Sequence, residues 1–167
     1  MYFQKASGIS KHRNMSKLQV RNEAIINAPV GSIWTIITDI NVLHKVNPGV
    51  VKASGNMDRP GAVRVCQIDN KGRKGTVKEK MIEFVPEEKT VWAMESDTMG
   101  MTKMLNNARF VFKLEKLGES TTRVINETYY QPGNLIAKIM NGIMIKKTIG
   151  KAQAEILENI KLLTEKK

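Results

Sequence analysis

Hydrophobic positions change their period three times along this chain of 167 residues. Residues 18–27 alternate apolar and polar well enough for a strand, and after Ala28-Pro29 the apolar positions Ile33, Trp34, Ile36 and Ile37 fall on one helical face. Proline suits a first helical turn, where its missing N–H would have no partner anyway and its fixed φ already matches the helix. This helix is expected to end near Asp39, and a second short helical piece over 40–46 stops at the turn signal Asn47-Pro48-Gly49. From there the period is two. Runs at 50–54, 62–69, 76–84, 90–97, 108–117 and 121–130 are rich in β-formers. They are separated by Asp58-Arg59-Pro60-Gly61, Asn70-Lys71-Gly72, Pro86-Glu87-Glu88-Lys89 and Gly118-Glu119-Ser120. Spacing this close predicts an antiparallel meander, since parallel strands need long crossovers. After Gln131-Pro132-Gly133 the helical period returns: Ile145, Ile149, Ala152, Ile156, Ile160 and Leu163 step by four or three and keep one face apolar. Gly142 and Gly150 interrupt that helix and mark a bend or a close contact.

The order strand, two short helices, about six strands and one long terminal helix is an α+β arrangement. A curved antiparallel sheet of about seven strands wrapped around the long helix would bury both apolar faces, and would leave a cavity wherever the two do not close flush. An apolar fraction of 41% with 26% charged residues fits one ordinary globular domain, expected over residues 15–167. Residues 1–14 are polar, basic and aperiodic. They are expected to be a disordered leader or the remnant of a cleavable tag, which Tyr2-Phe3-Gln4 resembles, with Met15-Ser16-Lys17 as a natural start. The net charge of +11 raises nucleic acid as a partner, but Lys5, Lys11, Arg13 and Lys17 put part of it in or beside the leader. Aromatics are only 5% of the chain and no basic run alternates with them, so a stacking platform lacks its parts and nucleic acid is not the expected partner. The single cysteine, Cys66, cannot form an internal disulfide, and no apolar run approaches the roughly 20 residues of a membrane span, so a cytoplasmic location is expected.

Several stretches carry a family resemblance: Ile26-Asn27-Ala28-Pro29-Val30 with Ile33-Trp34 and Asp39, Gly61 opening a strand, Glu83-Phe84-Val85-Pro86 before Val91-Trp92, Thr122-Arg123-Val124, and the long helix after Pro132-Gly133. In these the chain resembles the helix-grip superfamily of START lipid-transfer domains, the birch-pollen allergen family and bacterial polyketide cyclase/dehydrase-like proteins, and the last group most closely. Coenzyme Q-binding proteins and ribosome-association toxins are near relatives in that set. The resemblance runs from Lys17 to the chain end and implies a helix-grip fold around a pocket for an apolar small molecule. It departs at Asn126, two places after Val124, where relatives often carry tryptophan or another bulky residue. A small amide there argues against transferring any one member's ligand.

Catalysis in such a pocket needs an acid or base held out of water and donors aimed at a developing oxyanion. Parity aims Glu79 inward with Val77 and Met81, and Glu95 inward with Val91 and Ala93, unless a bulge inverts the face. Arg109 or Arg123 could pair with either, and one of Tyr129 and Tyr130 must face inward by alternation. The catalytic candidates are therefore Glu79, Glu95, Arg109 and Tyr130. Flexible thioethers suit irregular apolar ligands, and Met94, Met99, Met101 and Met104 gather around one loop that is expected to act as a mobile lid. Met140 and Met144 open the long helix. With Arg123 and Asn126 these methionines are the candidate ligand-binding residues. Trp34 and Trp92 are expected in the core, and Cys66 has a packing role. His12 and His44 lie too far apart for dense zinc-ligand spacing, Gly72 and Gly75 sit in a basic hairpin and not in a strand-to-helix phosphate loop, and no cofactor is expected.

Three function classes stay open. The first is binding of a lipid, quinone or polyketide-like molecule between sheet and helix. The second is a cyclase or dehydratase using Glu79 or Glu95 as base, with Tyr130 or Arg109 polarising a carbonyl. The third is a protein-interaction role served by the basic surface, for which Lys146, Lys147 and Lys151 would gather with Lys71, Arg73 and Lys74. The oligomeric state is not legible.

Overall fold

The computed structural model describes residues 16–165 apart from residue 71. The leader expected at residues 1–14, with His12, and Lys71 of the basic hairpin lie outside the described residues. In chain order the elements are β1 (Lys17–Ile26), α1 (Val30–Thr38), α2 (Leu43–Val46), β2 (Val50–Gly55), β3 (Val63–Asn70), β4 (Arg73–Val85), β5 (Lys89–Asp97), α3 (Met101–Met104), β6 (Leu105–Gly118), β7 (Thr121–Pro132), α4 (Leu135–Met140), a π-helical segment (Asn141–Ile145) and α5 (Lys146–Glu165).

The strands form one antiparallel sheet in the order β1-β7-β6-β5-β4-β3-β2. Neighbours in sequence are neighbours in the sheet, except that β1 pairs with β7 and the two short helices carry the chain from there to the far edge at β2. Pro29 takes the N-cap of α1 at φ −61°, and its carbonyl accepts from Ser32 and Ile33 N–H at 3.1 and 3.3 Å. Ile33 and Ile37 are buried beneath it, as the apolar spacing predicts. Helices α4 and α5, joined through the π segment, lie across the sheet, and α5 packs on β1, β7, α1 and α2. The architecture is the helix-grip fold that the sequence pattern predicts.

Core residues divide into three clusters. Ile26, Ile33, Ile37, Val124, Leu157 and Ile160 join α1, β1 and β7 to the C-terminal half of the helix. Leu43, Val50, Met57, Cys66, Met81 and Trp92 fill the far side under β2 to β5. Leu105, Ala108, Tyr130 and Ile145, with Met94, Met101, Met104 and Met140 against them, fill the end where the helix begins. Each fully buried large side chain contributes about 1.5–3 kcal/mol of transfer free energy.

Two elements depart from the sequence pattern. The methionine loop is a fastened turn and not a mobile lid: Asp97 accepts from the N–H groups of Met99, Met101 and Thr102 at 2.6, 2.8 and 2.8 Å and from the Thr102 hydroxyl at 2.7 Å, and α3 grows from that cap. Burial alone would raise the Asp97 pKa, but these donors outweigh it and bring it down to about 2. The π segment inserts an extra residue per turn at Asn141–Ile145. Neither helix glycine marks a close approach: a Cβ at Gly150 would meet Val20 at an ordinary 3.6 Å, and one at Gly142 would meet nothing within 4 Å.

Candidate functional site

Register decides what faces the groove between sheet and helix. On β7 the inward row is Thr122, Val124, Asn126, Thr128 and Tyr130, fixed by side-chain bonds from that row to the elements beneath the sheet: Gln153 donates to Thr128 Oγ1 at 2.8 Å, and Thr122 donates to the Ala28 carbonyl at 2.9 Å. Their partners across the sheet, Asn22 and Ala24 on β1 and Phe110, Phe112 and Leu114 on β6, share that face. It continues through Trp92 and Met94 on β5, Glu79 and Met81 on β4, and Arg64, Cys66 and Ile68 on β3. Because α5 packs over the β1–β7 side, the inward Phe110, Phe112, Met94 and Ile68 are only half-buried, and the helix leaves part of the concave face uncovered.

Glu79 faces this groove, as parity predicts, and is not free. Arg64 Nε donates to its Oε2 at 2.7 Å, and the same guanidinium lies 4.0 Å over the Trp92 ring. Both charged side chains are about nine-tenths buried. The pair is therefore held by a salt bridge and a cation–π contact in a desolvated setting. Cys66, 3.9 Å from the Glu79 carboxylate, has its thiol pushed up to about 11 by burial, against the attraction of Arg64 and with the help of Glu79. An inert packing thiol is what this describes.

Tyr130 also faces inward and is fully buried. Its hydroxyl donates to Asn141 Oδ1, Asn141 donates to Gln19 Oε1 at 3.3 Å, and Gln19 donates to the Tyr130 carbonyl at 3.0 Å. The ring closes on itself, and burial pushes the phenol up to about 12. A second tie joins Asn22 to the Gly150 carbonyl at 2.9 Å and to Gln153 Oε1 at 3.1 Å. These amides bind helix to sheet and are spoken for.

Asn126 differs. It stands between Val124 and Thr128, opposite Asn22 and Phe112, is 5% exposed, and its amide makes no side-chain hydrogen bond among the described residues. The one fully enclosed polar side-chain atom lacking a hydrogen bond among them is Arg123 Nε, so the Asn126 amide keeps contact with open space in the groove. With no partner among the described residues, this amide can exchange a water for a polar group of a ligand, a net gain of about 0.5–1.5 kcal/mol.

The remaining candidates lie elsewhere. Glu95 is the extra residue of a bulge between the Lys78–Ser96 and Glu79–Met94 pairs, and it is exposed with Lys78 Nζ at 3.1 Å. The apolar set Val91, Ala93 that suggested its facing belongs to the convex face, where Val91 and Val111 are buried among long charged side chains. Arg109 lies on that convex face and is exposed. Arg123 lies there too, bonded to Glu115 at 2.8 Å and near Glu23 at 4.0 Å. Neither arginine reaches the groove. On the same face Glu127 is nearly buried. Burial would raise its pKa, but Lys113 at 2.8 Å, the Tyr129 hydroxyl at 2.8 Å and Arg21 at 3.5 Å lower it on balance.

Met94, Met101, Met104 and Met140 pack around Tyr130 and Ile145, Met99 packs on Gly75, and Met144 is exposed. The sequence reading missed Arg64, Met57, Asn141 and Gln153. Arg64 was hidden because Val63 and Val65 alternate with it, and that alternation favours the opposite face. His44 is exposed, and among the described residues no three His, Cys, Asp or Glu side chains gather as metal ligands.

The fold has many solved counterparts. A START superfamily protein from Mycobacterium smegmatis superposes with a TM-score of 0.72 at 12% identity, covering 90% of this chain and 99% of that one. The Zhui aromatase/cyclase from Streptomyces sp. R1128 gives 0.71 at 13% identity over 87% and 92%. Norcoclaurine synthase from Thalictrum flavum gives 0.68 at 16% over 98% and 95%. At such identities the likeness establishes the fold alone. No curated protein matches the sequence. Residues 17–165, from the first strand to the end of α5, match the family model described as polyketide cyclase / dehydrase and lipid transport. The strand-to-helix switch at Pro29, the single antiparallel sheet and the helix across its concave face are thus those of a family, and this chain belongs to the polyketide cyclase / dehydrase and lipid transport family.

Proposed function

We propose that this protein binds an apolar small molecule bearing one polar group, of the lipid, quinone or polyketide-like kind, in the groove between the concave sheet and the C-terminal helix, and that it acts as a carrier. Family membership and the fold support a hydrophobic ligand-binding or a cyclase role. The observation that favours binding is Asn126: a nearly buried amide with no hydrogen bond among the described residues, in a wall whose half-buried side chains Phe110, Phe112 and Met94 are apolar. Such a wall takes its affinity from apolar burial and its orientation from the one amide. Groups fit for acid–base work are engaged instead with each other, Glu79 with Arg64 and Tyr130 with Asn141.

The cyclase reading keeps one foothold, since Glu79 does face the groove. Arg64 and Cys66 both meet Oε2, so a proton would have to be taken on Oε1.

Titration with the neutral fluorescent amine N-phenyl-1-naphthylamine tests the binding reading. Wild type should bind it with an emission blue shift, and Asn126→Leu should weaken binding about five- to tenfold, the worth of one recovered hydrogen bond. Equal affinity in the variant, or no binding in either, would overturn the assignment of this groove.

A further inference from the structure

The long helix begins with an apolar face that the fold does not cover. In α4 and the π segment the side chains turned into the protein are Ala137, Asn141 and Ile145, four apart. Leu135, Ile136, Ile139, Ile143 and Met144, five of the ten residues 135–144, are instead 50–73% exposed. Scattered exposed apolar residues are ordinary, whereas this many on two and a half turns make a continuous patch.

The patch is rimmed by cations. Lys138 lies within it, Lys146 and Lys147 follow on the next turn, and residues 128–154 contain no aspartate or glutamate. The sheet adds more at the same end. Lys17 and Lys138 line one depression of about 570 Å³ with Leu135.

Apolar side chains at the centre with ammonium groups at the edge match the boundary of an anionic bilayer: the first enter among the acyl chains while the lysine stems keep their charges at the headgroups. A second copy of this chain fits poorly, since a two-fold contact would bring these lysines together with no carboxylate in the segment to meet them. Ten helical residues also rise only about 15 Å, half a hydrocarbon core, so the segment suits lying on the surface. We propose that α4 and the π segment are a docking surface for an anionic lipid bilayer, on which the protein sits peripherally.

Flotation of the full chain with vesicles tests this. Binding should be about tenfold stronger to phosphatidylcholine containing roughly one quarter phosphatidylglycerol than to phosphatidylcholine alone, and should weaken with added salt. Ile139→Asp/Ile143→Asp should remove it and Lys146→Glu/Lys147→Glu should reduce it by about thirtyfold or more, both with unchanged melting, because all four side chains are exposed. No vesicle binding, equal binding to both lipids, or variants that bind as wild type would overturn the proposal. So would a dimer in sedimentation velocity that the isoleucine variant dissociates while vesicle binding persists. N-phenyl-1-naphthylamine binding by the isoleucine variant should match wild type, which separates failure here from failure of the groove reading.

Discussion

The two halves of the terminal helix obey the same hydrophobic period and do different work. In α5 the buried positions Gln153, Leu157, Ile160 and Thr164 step by four, three and four, and the helix is anchored on β1, β7, α1 and α2. In α4 and the π segment the period is as clear, yet most of its apolar residues point to solvent, and Ala137, Asn141 and Ile145, with the half-buried Met140, hold the helix down. A periodic apolar face therefore shows that a surface is to be buried without saying by what. In α5 the sheet is the partner; for Leu135, Ile136, Ile139, Ile143 and Met144 the described residues supply none.

Substitutions should separate the halves, and the largest effect belongs to α5. Ile160→Ala, at a fully buried position in the cluster with Val124 and Leu157, should cost about 2–5 kcal/mol in urea unfolding, through lost transfer energy and the cavity left behind. The join between the halves comes next. Asn141→Ala strands the buried Tyr130 hydroxyl and should cost about 1–3 kcal/mol, with faster amide exchange in α4 than in α5.

A smaller effect is expected at the loop that braces the helix start. The Asp97 carboxylate titrates near 2 in the folded protein and near 4 when unfolded, so its contribution is complete above about pH 4 and disappears as pH falls toward 2. An acid titration of Asp97→Asn against wild type should show the variant less stable at neutral pH, with the gap closing over that window. Smallest of all, Ile143→Ala on the exposed patch should change stability by less than about 0.5 kcal/mol. A cost there comparable with Ile160→Ala would erase the distinction between the halves.

Most of the fold was legible because its signals are local: Pro29 sets one switch of period, Pro132-Gly133 another, and turn residues divide the strands between. The site was legible only in part, because facing depends on register. Glu79, Asn126 and Tyr130 point inward as expected. Glu95 does not: Val91 and Ala93, whose parity it shares, lie on the convex face, and Lys78 Nζ meets it there at 3.1 Å. The same convex face takes Arg109 and Arg123. Nor could sequence show that Asp97 ties the methionine loop down, because that depends on backbone N–H groups and not on residue type. Asn141 reaches Tyr130 from the π segment, a departure from helical spacing that residue period does not announce.

Native mass spectrometry of the protein purified from its own host tests the central claim most directly. A groove built to hold an apolar molecule by its walls and one amide should retain such a molecule at one per chain, and Asn126→Leu purified in the same way should hold markedly less. Bare protein in both preparations, or a retained molecule whose occupancy ignores Asn126, would contradict the account.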